Sequence, residues 1–229
     1  MNRNTDYQNY VFGADHTNVN FELTNIILQI ENLIPSDQAL ISINDFIEKN
    51  DTIDILFRAK GCDFYSGNGG TEINLPIGSK YSKPRYFIIA CKDPAKKNNI
   101  QHNFGKLENG NIRNIKVTLD LNEYPNCQQQ ANFGENDFDQ FYYPLINMCR
   151  EAYRNECAIS MNDFKNIYSV FVIDASNQPA KAKNEVTNVR IDLTRNEPLG
   201  IAQLEYYVIV IYERYFKMHL KENRISQLV

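Results

Sequence analysis

The side chains able to do chemistry in this chain are few and scattered. His16, His102 and His219 have no Cys or carboxylate neighbour at the spacing of a zinc ligand set. Cys62, Cys91, Cys127, Cys149 and Cys157 form no C-x-x-C pair, and neither a nucleophile elbow nor a P-loop occurs. Nucleophilic, zinc-dependent and phosphate-cradling chemistry therefore lack their usual anchors. No catalytic, cofactor or metal residue is predicted, and the chain is read as a non-enzyme.

Four groups of residues have two readings each. Glu135, Asp137 and Asp139 could offer oxygens to a calcium ion, or could favour the start of the following helix by placing negative charge at its positive end. The run 66–70, Ser-Gly-Asn-Gly-Gly, could wrap an anion with backbone N–H groups, but without a strong strand before it or a helix after it reads as a mobile turn. Lys80, Lys83, Arg85, Lys92, Lys96 and Lys97 flank one apolar run, as solvated charge or as a contact for an acidic neighbouring subunit. The tyrosines of 203–218 could form a ligand platform or pack in a core-crossing strand.

The 229 residues, 43% of them hydrophobic, suffice for one substantial core, so a single domain is expected. A net charge of -4 supplies no global positive field, and direct nucleic-acid binding is not expected. The N-terminus lacks the basic-then-apolar pattern of a signal peptide, and no run has the roughly 18 apolar residues of a membrane span. An odd number of dispersed cysteines reads as reduced thiols.

These residues are expected to hang on a mainly β framework. Residues 1–18 read as a polar arm, 19–218 as the domain and 219–229 as a tail. Alternation from Val19 to Ile30 predicts a long first strand, and Ser36 caps a short amphipathic helix carrying Leu40, Ile43, Phe46 and Ile47. Short strands follow from Ile53, around 62–65 and over 71–77. Arg85–Cys91 predicts a strand buried on both faces, and Ile112–Leu121 another, with a charged, Asn-rich loop between them. Residues 136–154 have helical spacing, with Pro144 predicting a kink or a split. A second helix is expected near Met161, then strands at 168–175, 186–194 and 203–218. About eight strands with helices confined to inter-strand connections predict an antiparallel jelly-roll sandwich.

Several of these segments together resemble a known family. The run Lys83-Pro84-Arg85-Tyr86-Phe87-Ile88-Ile89-Ala90, the Lys/Asn-rich loop, Asn111–Leu119 and Tyr124-Pro125 are similar to the second jelly roll of double jelly-roll major capsid proteins of the polinton, adintovirus and virophage lineage. The aromatic helix at 138–154, Met161-Asn162-Asp163-Phe164, Tyr168–Ala175, Val189–Leu193 and Tyr206–Glu213 continue the order.

The resemblance implies a structural capsid or capsid-derived assembly protein in a virion or at an intracellular assembly site. Its partner would be a homo-oligomer or a separate jelly-roll capsid subunit. It carries over no catalytic residue. A full member has two jelly rolls and this chain has length for one, as a fragment, half of a pair or a short relative; Met1 and the polar arm favour a complete short chain. Lys83, Arg85, Lys92, Lys96, Lys97, Phe138, Phe141 and Tyr142 are the expected assembly contacts. The alternative is a jelly-roll module that binds a glycan or a host receptor.

Overall fold

The computed structural model describes residues 24–30, 32–68, 70–96, 102–103, 105–178, 188–198, 203–220, 222 and 224–228. Helix α1 (Asp37–Lys49) leads into β1 (Thr52–Asn68), β2 (Glu72–Gly78), β3 (Pro84–Lys92), β4 (Ile112–Leu119) and β5 (Asn122–Tyr124). Helices α2 (Asp139–Tyr153) and α3 (Met161–Asn166) follow, then β6 (Val170–Asp174), β7 (Val189–Arg195), β8 (Gln203–His219) and β9 (Arg224–Leu228).

One sheet has the order β1-β8-β3-β6, with β9 also on β8, and the other has the order β2-β7-β4-β5. All ladders are antiparallel, and the first eight strands pair as β1 with β8, β2 with β7, β3 with β6 and β4 with β5. That nesting is a long hairpin rolled into two layers, the jelly roll expected from the sequence.

The core lies between the layers and follows the two-residue period of the strands. Ile73, Leu75 and Ile77 of β2, Ile115, Val117 and Leu119 of β4, and Val189, Ile191 and Leu193 of β7 face Leu204, Tyr206, Val208 and Val210 of β8. Each is buried, and each such side chain contributes about 1.5–3 kcal/mol against the entropy of ordering the chain. In β3, Phe87, Ile89 and Cys91 face inward, while Ile88 and Ala90 are half-buried on the other side.

Five expectations are corrected. Residues 24–30, the described part of the predicted first strand, form no ladder, because the described strands offer them no partner; Ile26, Ile27 and Leu28 stay exposed. The fragments at 53–58 and 62–65 and residues 66–68 of the predicted turn are one strand, because β8 pairs with β1 from Thr52↔His219 to Asn68↔Gln203. Leu121 is 95% exposed in the turn that Asp120 opens at φ 53, so β4 stops at Leu119. The tail carries β9, which pairs Ile225 with Met218. The fifth is α2, which continues through Pro144 as one helix rather than splitting there.

A proline inside a helix cannot donate to the carbonyl four residues back. Here that carbonyl belongs to Gln140, and Gln129 Nε2 donates to it at 3.3 Å. A side chain thus replaces the missing backbone donor. The other helix starts match the sequence: Ser36 and Ser160 accept from the N–H groups of Ala39 and Asp163, and Asp139 adds negative charge in the first turn of α2.

The cysteines are all free. Burial pushes the Cys91 thiol up to about 12 from 9.0. Burial and then the hydrogen bond to Glu205 push Tyr207 up to about 12 from 10.0. Both groups hold their protons more tightly folded than unfolded, so their stabilisation is intact below the unfolded values and is lost as pH rises toward about 12. Unfolding midpoints in urea should hold steady to about pH 9 and then fall. In the native protein at about pH 8, maleimide should modify exposed Cys127 first and spare Cys91 until unfolding. Equal labelling of both, read by mass spectrometry, would contradict the buried position of β3.

Candidate assembly surface

The basic residues around β3 do not make one positive patch. Arg85 and Lys92 lie at opposite ends of the strand, roughly 23 Å apart at the usual strand rise. Arg85 donates to Glu213 at 2.9 Å and to the Ser176 carbonyl at 2.7 Å, tying β3 to β8 and to the segment after β6. Lys80 pairs with Asp63 at 2.6 Å, and Tyr81 donates its hydroxyl to the same carboxylate at 2.8 Å. Lys92 lies 5.9 Å from the Tyr207 ring centroid, with burial holding its ammonium below its ordinary value. Lys96 is bonded to Glu108 and lies 3.8 Å from Asp93. Lys83 sits just before β3 with φ 43, its carbonyl accepting from Glu213 N–H. Lys97 lies outside the described residues.

Phe138 and Phe141 are core residues, 4% and 0% exposed, so they are not available as surface contacts. Phe138 stacks on Phe133 at 5.2 Å, and Phe141 meets Phe171 of β6 edge-on at 5.1 Å. Tyr142 is half-buried against Phe164 and donates to the Ile159 carbonyl at 2.9 Å. This aromatic cluster fastens α2 and α3 to β6. Farther along α2, Glu151 accepts from Tyr86 of β3, and the Tyr153 ring lies under Lys60 of β1. The helix thus starts beside edge strand β6 and ends over the outer face of its sheet, protecting an edge that would otherwise invite pairing.

The unsatisfied surface lies elsewhere, at the end of the molecule where β1 begins. β1 and β8 each run for 17 residues, whereas β2 and β7 opposite them have 7. The longer pair, joined by β9, overhangs the sandwich as a three-stranded ribbon, and the buried positions of β8 stop at Tyr212. Opposed residues of an antiparallel pair share a face. The face continuing the core side carries Ile53 against Met218, Ile55 against Phe216 and Phe57 against Arg214, with Ile225 beyond Met218. Phe57 stacks on Phe216 at 5.2 Å yet stays 44% exposed, and Ile225 is 61% exposed. The reverse face carries Asp54, Arg58, Glu213, Lys217 and Ser226, with Leu56 opposite Tyr215 among them.

Helix α1 buries none of its residues; Leu40, Ile41, Ile43 and Phe46 are exposed, as are Leu33 and Ile34 before it. The sequence displayed the alternation at 53–57 and the helical stripe at 40–47. It did not display the early end of the opposing sheet.

A shallow cleft of about 570 Å³ lies between the 125–129 loop and α2, lined by Pro125, Gln128, Gln140, Tyr143, Pro144 and Asn147 among others. Tyr143 is 54% exposed there, and the Tyr124–Pro125 peptide bond leading into the loop is cis. Among the described residues no His, Cys, Asp or Glu set gathers as for a metal, and no helix is long and apolar enough to cross a membrane.

Among curated proteins none matches. The chain is similar in structure to the mavirus major capsid protein, at 10% identity and TM-score 0.38, over 78% of this chain and 41% of that one. It is similar too to a chain of the Sputnik virophage structure, at 12% identity and TM-score 0.37, over 78% and 38%. It therefore spans about two fifths of the length of the solved chains it matches. The double jelly roll-like domain model matches residues 1–216. With that match covering nearly the whole chain, and with its strands nested as a jelly roll, the protein belongs to the double jelly roll-like family.

Proposed function

We propose that this chain is a structural building block of a capsid-type shell, associating with copies of itself or with a separately made jelly roll. The observation that carries the proposal is the family match over residues 1–216. The exposed apolar ribbon and helix support it, because they remove area from water only when another protein surface covers them. The match covers only about two fifths of each solved chain, so a second jelly roll beside this one is a natural partner. On this reading the protein works in a virion or at its site of assembly, by presenting surfaces rather than by catalysis.

Sedimentation of the purified chain across protein concentration and salt, with electron micrographs of the same samples, tests this. Oligomers growing into tiles, tubes or shells are expected. A strict monomer at the highest concentration, unchanged by salt, overturns self-association. If added jelly-roll subunit also fails to bind, the proposal as a whole fails.

A second reading, glycan or receptor binding, is favoured by the cleft at α2, where the exposed Tyr143 ring and the amides of Gln128, Gln140 and Asn147 could meet a sugar's apolar face and hydroxyls. A glycan array without hits removes it.

A further inference from the structure

We infer that α1 of one copy docks on the core-side face of the β1–β8–β9 ribbon of a second copy, in a reciprocal exchange closed by a two-fold axis. The inference rests on the reading of the chain as a self-associating structural protein and names the surfaces that do the associating.

The ribbon face is built like a core layer, with Phe57 and Ile225 exposed and no sheet opposite it among the described residues. Ile53, Ile55, Phe57, Phe216, Met218 and Ile225 share it, whereas the reverse mixes Asp54, Arg58, Glu213 and Lys217 with Leu56 and Tyr215. Solvent exposure on both sides would not require this division. The face continues the side of β8 that buries Leu204, Tyr206, Val208 and Val210 inside the sandwich. An occupant of this face would therefore extend the core.

Helix α1 has the matching shape and polarity. Its 13 residues span about 20 Å, close to the roughly 20 Å of a six-residue stretch of ribbon. Leu40, Ile43, Phe46 and Ile47 recur at the spacing that forms one helical stripe. Its charges are mainly acidic, Asp37, Asp45 and Glu48 against Lys49, while among the described residues the ribbon face holds one cation, Arg214, between Phe57 and Phe216 in register. An incoming helix would bring a carboxylate to that guanidinium at the rim of an apolar contact.

The helix does not cover its own ribbon. None of its residues is buried, although only Asn50 and Asp51 separate it from β1. That connection is held extended: Asn50 has φ -122 and ψ 131, its N–H and Nδ2 both donate to the Phe46 carbonyl, and Leu220 N–H donates to the Asp51 carbonyl. β1 starts at the free tip of the ribbon, so α1 is carried at that tip, where a second ribbon can receive it. Since each copy offers one helix and one ribbon face, exchange satisfies both and closes without leaving either exposed.

The test uses the full chain. Natural and heavy-nitrogen-labelled protein, each carrying a photo-crosslinking amino acid in place of Ile43, are unfolded together, refolded as an equimolar mixture and irradiated. Crosslinks from position 43 to ribbon peptides 52–58 or 213–219 are expected, about half of them joining light to heavy chains. Crosslinks only within one isotope would assign the ribbon to its own helix and overturn the proposal, as would crosslinks only to other regions or none at all.

In parallel, Phe216→Glu and Ile43→Glu should each raise the dimer dissociation constant by at least about tenfold while leaving the thermal unfolding of the sandwich unchanged, since both positions lie outside the buried core. If the unsubstituted chain self-associates and both variants do so equally well, this inference falls and the building-block reading stands. If only the ribbon variant dissociates, α1 is not the occupant. An unsubstituted chain that stays monomeric ends both the inference and self-association.

Discussion

Phe171→Ala is expected to lower the stability of the folded chain by about 3–5 kcal/mol, a large share of what a domain of this kind possesses. Phe171 is fully buried on β6, in register with Ile89 of β3. Its ring meets Phe141 of α2 at 5.1 Å, Phe164 of α3 at 6.1 Å and Phe133 of the preceding loop at 6.2 Å, each nearly edge-on. It is thus the joint where two helices and a loop are fastened to the sheet. Truncation loses the transfer energy of the ring and leaves a cavity that three other rigid rings cannot fill by changing rotamer. Urea unfolding should show a lower midpoint with the slope preserved. A loss below about 1 kcal/mol would mean that the aromatic cluster relaxes around the gap, and that α2 is held by other contacts.

Gly67→Ala is expected to cost about 1–3 kcal/mol through overpacking. A Cβ at this position would lie 2.6 Å from Cε2 of Tyr206. That ring cannot step aside cheaply, because Tyr206 is fully buried and its hydroxyl is bonded to Arg195 of the opposing sheet, which also donates to the Gly70 carbonyl at 2.9 Å. Accommodating one methyl group would shift β1 from β8 or pull Tyr206 from Arg195. A double-mutant cycle with Tyr206→Leu isolates the clash: if the ring is the obstacle, the two changes couple by about 0.5–3 kcal/mol. Strict additivity would place the cost of Gly67→Ala in the backbone instead.

The strands were legible because alternation in β2, β7 and β4 from Ile115 onward reports a face turned to a core, and the burial patterns there follow it. What periodicity does not report is the identity of the opposing layer. Phe138 and Phe141 belong to an apolar helical face, and the same spacing serves a core contact and an assembly contact equally well; here the face meets Phe133, Phe164 and Phe171. Leu40 and Ile43 pose the opposite case, an equally regular stripe left exposed among the described residues.

The pairing of the basic residues near β3 was hidden for a related reason. Two of the acidic partners are distant in sequence: Glu213 lies 128 positions from Arg85, and Asp63 lies 17 from Lys80. Only the folded topology brings them together. The length of β1 was hidden by glycines that usually punctuate a strand, whereas Gly61 and Gly67 serve instead to admit the rings of Tyr81 and Tyr206.

The side-chain donor that completes α2 bears on how sequences of this kind diverge. Gln129 and Pro144 answer one another through a single carbonyl, so the two positions do not drift independently. If the proline is replaced first, the new amide serves Gln140, and position 129 becomes free to vary. If the glutamine is lost first, that carbonyl lacks its substitute donor. The order of replacement is therefore directional, and lineages that retain the proline should carry an amide donor fifteen residues before it.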